Sequence, residues 1–206
     1  MGLIIIVRHG HSESNLKEHL THDIEGYPLT LEGKKYLIKS ATELRKIKNI
    51  KKLISSPVLR ARQTAEIISD VTGLKVHIDD RLAERRMGKY NNKIIPSSSK
   101  AAKRKPDWHI NEILNSYPNG FESWESLTQR VESLLKEIPK DRNVILVSHG
   151  DPIKAIIAYF LGLDEFGTWG IRVNHGHFTI IDSKKRKLIA IGAPILSESI
   201  LNRLES

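Results

Sequence analysis

The 206-residue chain contains no cysteine, which excludes disulfides, a thiolate nucleophile and cysteine-ligated zinc. Aromatic residues are scarce at 6%, and no pairing of aromatics with basic residues of the kind that stacks on single-stranded nucleic acid is recognisable. Long apolar runs are missing too. "IIIV" and "VILV" are far short of the roughly 20 apolar residues that cross a bilayer. Met1-Gly2-Leu3 leads straight into a strand, with no signal peptide in view. The expectation is a cytoplasmic enzyme with neither a membrane nor a nucleic-acid partner.

Positive charge is what the chain has in excess: 33 Lys and Arg against 24 Asp and Glu, a formal +9. Such a balance suits nucleic acid, a membrane surface or an anionic substrate. Lys34, Lys35, Lys39, Lys46, Lys48, Lys51 and Lys52 are scattered over a helix and its exit, as on a solvated surface. Only "KAAKRK", Lys100 to Lys105, is tightly clustered. A hydrophobic fraction of 39% with 28% charged residues is that of a soluble globular protein, long enough for one α/β domain with an inserted lid.

Helical and strand patterns alternate along the chain. "LIIIV", Leu3 to Val7, is a β-branched run that reads as a buried strand. Thr30 is placed to cap a helix whose stripe is Leu31, Leu37, Ile38, Ala41, Leu44 and Ile47. "KKLISSP" is a short strand, "VLRARQTAEIISDVTG" a helix closed by Gly73, and "LKVHI" a further strand. From Asp80 to Pro106 periodicity fades and serine and basic residues accumulate, as in a mobile polar lid. The core resumes with the helix "WESLTQRVESLLKEI", the strand "NVILVSHG" and the helix "DPIKAIIAYFLG", closed by Gly162. "HFTIID" and "KLIAIG" form a hairpin through "SKKRK". The expected architecture is a three-layer αβα sandwich with a mostly parallel central sheet. Residues 1–206 form one domain in this reading, with a lid excursion at about 80–120.

In such a sheet, ligands gather beyond the carboxyl ends of the strands. Arg8 and His9 follow the first strand. Alone, they read equally well as ligand-binding groups or as the start of a solvated loop. "VSHG" repeats the device, with His149 and Gly150 ahead of a helix whose N-terminus attracts anions. Arg60 stands in the first turn of the helix after "KKLISSP". Arginines with backbone amides suit a phosphate. Histidine there could be a metal ligand, a general base or a nucleophile. The metal set would be His9, His11, His149, His175 and His177, but it lacks His-Glu-x-x-His spacing, and the arginines would repel a cation. A nucleophilic imidazole among arginines suits phosphoryl transfer, with Glu84 available as the proton donor.

Four stretches carry a resemblance. "RHGHSESN" is similar to the Arg-His-Gly opening of the histidine phosphatases, the phosphoglycerate mutase-like superfamily. "SSPVLRARQTA", "LAERRMG" and "VSHG" resemble that family's later motifs, in the right order and across nearly the whole chain. The resemblance implies that His9 carries the phosphoryl group and that Arg8, Arg60 and His149 bind its oxygens. It gives Asn15 and Gly150 places in the pocket. Glu84 would protonate the leaving alcohol and then activate water. It implies metal-independent hydrolysis of a small phosphorylated metabolite, with no cofactor. The rival is a phosphoglycerate mutase primed by 2,3-bisphosphoglycerate. A non-catalytic binder of phosphorylated ligands or RNA is a third reading.

Three departures bear on the substrate. His11 stands where the family commonly has Glu or Gln, and "KYNN" follows "RRMG" where a glycine is usual. The lid lacks a clear Arg-Arg carboxylate clamp, so Lys100, Lys103, Arg104 and Lys105 are expected to give only diffuse attraction. Asn174 matches a family tendency, whereas His175 and His177 are expected at the pocket edge or the surface.

Overall fold

The computed structural model describes residues 2–94 and 120–205. Among them the main sheet has six strands: β1 (Leu3–Arg8), β3 (Ile50–Ser55), β4 (Val76–Ile78), β6 (Asn143–Ser148), β7 (Phe178–Asp182) and β8 (Lys187–Ala193). Their order is β4-β3-β6-β1-β7-β8, and only β7 runs against the others. Period-two alternation divides the first strand between two cores. Ile4 and Ile6 face α4 (Trp124–Glu137) and α5 (Gly150–Leu161) through Leu127, Val131, Leu134, Ile153 and Ile157. Leu3, Ile5 and Val7 face α2 (Leu31–Glu43), α3 (Leu59–Thr72) and α6 (Glu198–Glu205) through Ala41, Ala61, Ala65, Ile68 and Leu204. Continuous apolar strands and two helical layers are thus one fact. A strand buried on both faces has no solvent side on which to carry polar residues.

Local signals set the helix ends. Thr30 Oγ1 accepts from the Gly33 amide at 3.0 Å, and Ser123 Oγ caps α4 through the Ser126 amide at 3.0 Å. Helix α5 starts at Gly150, one residue before the sequence suggested, so His149 itself occupies its N-cap. Gly162 closes it at φ +68°, a conformation costly for residues with a side chain.

The lid expectation needs correction where it can be compared. Residues 80–94 are not a loose polar excursion. Leu82, Arg85 and Met87 are buried, and β5 (Lys93–Ile94) pairs with β2 (His19–Leu20). Helix α1 (Glu13–Leu16) precedes that ribbon. Lys100, Lys103, Arg104 and Lys105 lie outside the described residues.

Candidate active site

Parallel pairing brings the ends of β1 and β6 level, with Arg8 opposite Ser148. His9 and His149 therefore emerge side by side, their ring centroids 5.1 Å apart. Arg60 arrives from the first turn of α3, beyond the end of β3. All three are buried, at 2% exposure or less.

The hydrogen bonds of His9 fix its chemistry. Nδ1 lies 2.7 Å from the Gly10 carbonyl, which can only accept, so Nδ1 carries the proton and Nε2 the lone pair. Arg60 Nε donates to that Nε2 at 3.3 Å and Arg60 Nη2 donates to the Thr21 carbonyl at 2.9 Å. Burial, with Arg60, His149, His175 and Arg8 adding, holds the His9 pKa well below the ordinary imidazole value. His9 is therefore neutral at physiological pH, the state a nucleophile requires.

His149 Nε2 pairs with Ser56 Oγ at 2.7 Å. When Ser56 donates, the His149 proton sits on Nδ1. Burial first, then Arg60 and Arg8, also keeps His149 neutral. Arg8 Nη1 donates to the Val173 carbonyl at 2.7 Å. After these bonds, Arg8 Nε, Arg60 Nη1, His149 Nδ1 and His175 Nε2 remain buried without a hydrogen-bond partner among the described residues. Buried polar atoms are nearly always paired, so a group of unpaired nitrogens at one spot marks the place of an anionic ligand. The N-terminus of α5 adds its positive dipole end there.

A cleft of about 370 Å³ opens beside these groups, lined by Arg8, Glu84, Gly150 and Asp151, with Leu20, Met87, Ile171 and Val173 as apolar wall and Lys154, Arg172 and Asn174 beyond. Glu84 is half-buried and accepts the Arg85 amide at 2.9 Å. Burial raises its pKa, Asp151 reinforces the rise, and Arg60, the Arg85 amide and Arg8 only partly reverse it. A carboxyl held above its usual range beside a basic pocket is suited to giving up a proton late.

The sequence-predicted Arg8, His9, Arg60, His149, Gly150 and Glu84 thus come together. Asn15 lies on α1, where its Oδ1 accepts from the Ser12 amide and hydroxyl at 3.0 and 2.9 Å, leaving only its amide nitrogen for a ligand. His177 is a structural tie, donating to the Gly192 carbonyl at 2.8 Å and stacking on Tyr36. His175 is different: its ring lies 5.2 Å from His9 and its Nε2 is buried. Sequence reading also missed the support beneath Glu84. Ser148 Oγ donates to the Leu82 carbonyl at 2.7 Å, and buried Glu122 accepts from Arg130 and the Arg86 amide. The faint signal was a lone Glu122 just ahead of a capped helix.

Unpaired buried nitrogens beside a neutral histidine, at the strand ends of this α/β sandwich, suit the transfer of an anionic group. The chain belongs to the Histidine phosphatase superfamily (branch 1), whose sequence model matches residues 4–191. It is 32% identical to the 2,3-bisphosphoglycerate-dependent phosphoglycerate mutase of Thermoplasma acidophilum, across 97% of this chain and 96% of that one. Among solved structures, the fold is similar to the alpha-ribazole phosphatase of Shigella flexneri, with TM-score 0.79 and 22% identity over 95% of this chain and 98% of that one. It is also similar to mycobacterial glucosyl-3-phosphoglycerate phosphatase, with TM-score 0.72 and 24% identity over 88% and 92%.

Proposed function

We propose that this enzyme is a phosphomonoesterase acting through a phosphohistidine at His9, without a metal ion. The observation that carries the reading is the set of unpaired nitrogens on Arg8, Arg60 and His149, residues that converge at the strand ends with His9, whose Nε2 holds a lone pair. In the first step Nε2 attacks phosphorus and the ester P–O bond breaks. Arg60 moves its bond from Nε2 to a phosphoryl oxygen, and Glu84 hands its proton to the departing alkoxide. In the second step the Glu84 carboxylate takes a proton from water. The hydroxide attacks phosphorus, the P–N bond breaks, and phosphate leaves with His9 restored. The small cleft favours compact esters, and the soluble design is in keeping with action on a cytoplasmic metabolite.

A second reading, phosphoryl return to the substrate as in a mutase, is favoured by the Thermoplasma acidophilum relative. Lys154 and Arg172 on the cleft wall also suit an ester bearing a second negative group. Hydrolysis is preferred because the lid sequence lacks a carboxylate clamp and a mutase must shield phosphohistidine from water. Rapid quench during turnover tests the chemistry. Acid-labile, base-stable phosphate on His9 is expected, and label on a serine would end the mechanism. Release of phosphate from a panel of esters, compared with interconversion of 3- and 2-phosphoglycerate primed by 2,3-bisphosphoglycerate, decides the acceptor. Efficient primed interconversion with negligible phosphate release would make the chain a mutase.

A further inference from the structure

The "VNHGHF" stretch is not used by this mechanism, yet the chain returns it to the centre of the site. β7 pairs antiparallel with β1, with Phe178 opposite Val7, so the turn before β7 meets the residues that follow β1. There the Gly176 amide donates to the Arg8 carbonyl at 2.9 Å and reaches the His9 carbonyl at 3.2 Å. Gly176 has φ +73°, and a Cβ on it would lie 3.0 Å from the Tyr36 ring. The turn is therefore fixed both by conformation and by lack of space. It holds the His175 ring 5.2 Å from His9 and 5.8 Å from His11, edge-on to the latter.

We propose that His175 is a further phosphoryl-binding residue, donating from Nε2–H to an oxygen of the group in transit between His9 and its acceptor. The inference rests on the phosphohistidine reading above. Its own observation is a buried ring nitrogen without a partner among the described residues, beside the nucleophile. Interior nitrogens are left unpaired where a ligand completes them. The surroundings also suit a neutral donor. Burial, Arg8, His11, Arg60 and His177 together push the His175 pKa down to about 3. His175 thus offers an N–H without adding a third positive charge beside Arg8 and Arg60. A charged group there would compete with them for the same oxygens and lower the basicity of His9 further.

The test compares His175→Phe, which keeps a ring and loses the donor, with His175→Asn and His175→Gln, which keep an amide N–H. His175→Leu serves as a second donor-free variant if the phenylalanine does not fit. Turnover of p-nitrophenyl phosphate and inhibition by orthovanadate, a mimic of five-coordinate phosphorus, are measured with thermal midpoints. Donor-free variants are expected to lose about 10²-fold in kcat/KM, mostly in kcat, as on removal of one transition-state donor. Their vanadate inhibition constant should rise in step, with no fall in the midpoint, and an amide variant should recover at least tenfold. Folded donor-free variants within twofold of wild type on both measures would overturn the proposal. Equal losses in all four variants would overturn it too, since ring shape and not the donor would then matter. Wild-type protein that is indifferent to vanadate would instead remove the phosphohistidine reading itself.

Discussion

Two buried polar clusters lie at the carboxyl end of the sheet, and they are built on opposite rules. In one, Glu122 has no exposed side-chain surface and each of its oxygens is occupied: Oε1 accepts from Arg130 Nε at 2.8 Å, and Oε2 accepts from Arg130 Nη2 at 3.0 Å and the Arg86 amide at 3.1 Å. Arg130 Nη1 donates to the Arg81 carbonyl at 2.6 Å. Arg85 nearby donates to Glu165 and the Glu122 carbonyl and lies over the Phe121 ring. In the other cluster, Arg8, Arg60, His149 and His175 converge with unpaired nitrogens, and the two arginines carry like charge. The first cluster is complete and holds the Glu84 loop in place. The second is incomplete: its nitrogens have no partner among the described residues, and a bound anion would supply them. Removing a group from the first should therefore cost stability, and from the second, activity.

The largest expected effect is at the incomplete cluster. His9→Ala should lower turnover by at least ~10³-fold, as expected when the nucleophile of a covalent route is lost. Arg60→Met should raise KM and lower kcat together, because its guanidinium serves bound ester and transition state alike. Neither should lower the thermal midpoint by more than the loss of one hydrogen bond to a backbone carbonyl, that of Gly10 for His9 and of Thr21 for Arg60. Steady-state kinetics alongside thermal denaturation checks both halves. A variant that is inactive only because it is unfolded would erase the contrast between the clusters.

The complete cluster should behave the other way. Arg130→Met leaves buried Glu122 without the cation that hydrogen-bonds it, with only Arg86 at 3.9 Å among the described residues, which typically costs about 3 kcal/mol. For a chain of this length that corresponds to a fall of about 6–12 °C in the midpoint. Below the new midpoint, hydrolysis of an aryl ester should fall far less than in His9→Ala. Full stability with full activity would mean that the Glu122–Arg130 pair does not hold the loop.

These clusters also show how far sequence carries. The apolar strands, the Thr30 cap and the doubled His-Gly were legible because each depends on neighbours within a few residues. Arg8, His9, Arg60 and His149 were legible as strand-end residues for the same reason. The order around Glu84 was not, because it comes from Glu122 and Arg130, which lie 38 and 46 positions further along the chain. Residues 80–94 have no periodicity of their own and are fixed by these distant partners. The place of His175 beside His9 follows from antiparallel pairing of β7 with β1, a long-range register that no local pattern encodes.

Glu84 connects the two clusters: the complete one supports its backbone, and its side chain lines the cleft beside the incomplete one. Arg130 Nη2 reaches the Glu84 carbonyl at 3.4 Å, while the side chain lines the cleft with Arg8. Glu84→Gln should cut hydrolysis of an alkyl phosphate by about 10²-fold, in the range of general acid catalysis, and spare much of the rate on p-nitrophenyl phosphate. The raised pKa also predicts that kcat/KM on the alkyl ester falls on the alkaline side at a pH above the usual carboxyl range. Equal losses on the two esters would assign Glu84 to the scaffold alone.

The smallest effect separates the clusters by pH. His175 has a folded pKa of about 3, whereas an unfolded histidine titrates near 6.5. Between those values the unfolded chain binds a proton that the folded chain refuses, so stability is full above pH ~6.5 and falls as pH drops toward 3. His9 and His149 add in the same direction, since burial lowers both. Glu84 opposes them, because its raised folded pKa favours the native state as pH falls. Glu122 acts later. Burial alone would raise it, but Arg130 and the Arg86 amide bring it below the usual range, so its contribution is lost only at lower pH. From pH 6 to 5 the incomplete cluster should dominate, each excluded proton contributing up to ~1.4 kcal/mol per pH unit. Urea unfolding of wild type and His175→Phe across that interval should differ in slope by up to about one proton. Saturating vanadate should flatten the wild-type slope, because its negative charge offsets Arg8 and Arg60 and lets the histidines protonate in the folded state. Identical slopes in the two proteins, with and without vanadate, would mean that His175 is not held neutral by this pocket.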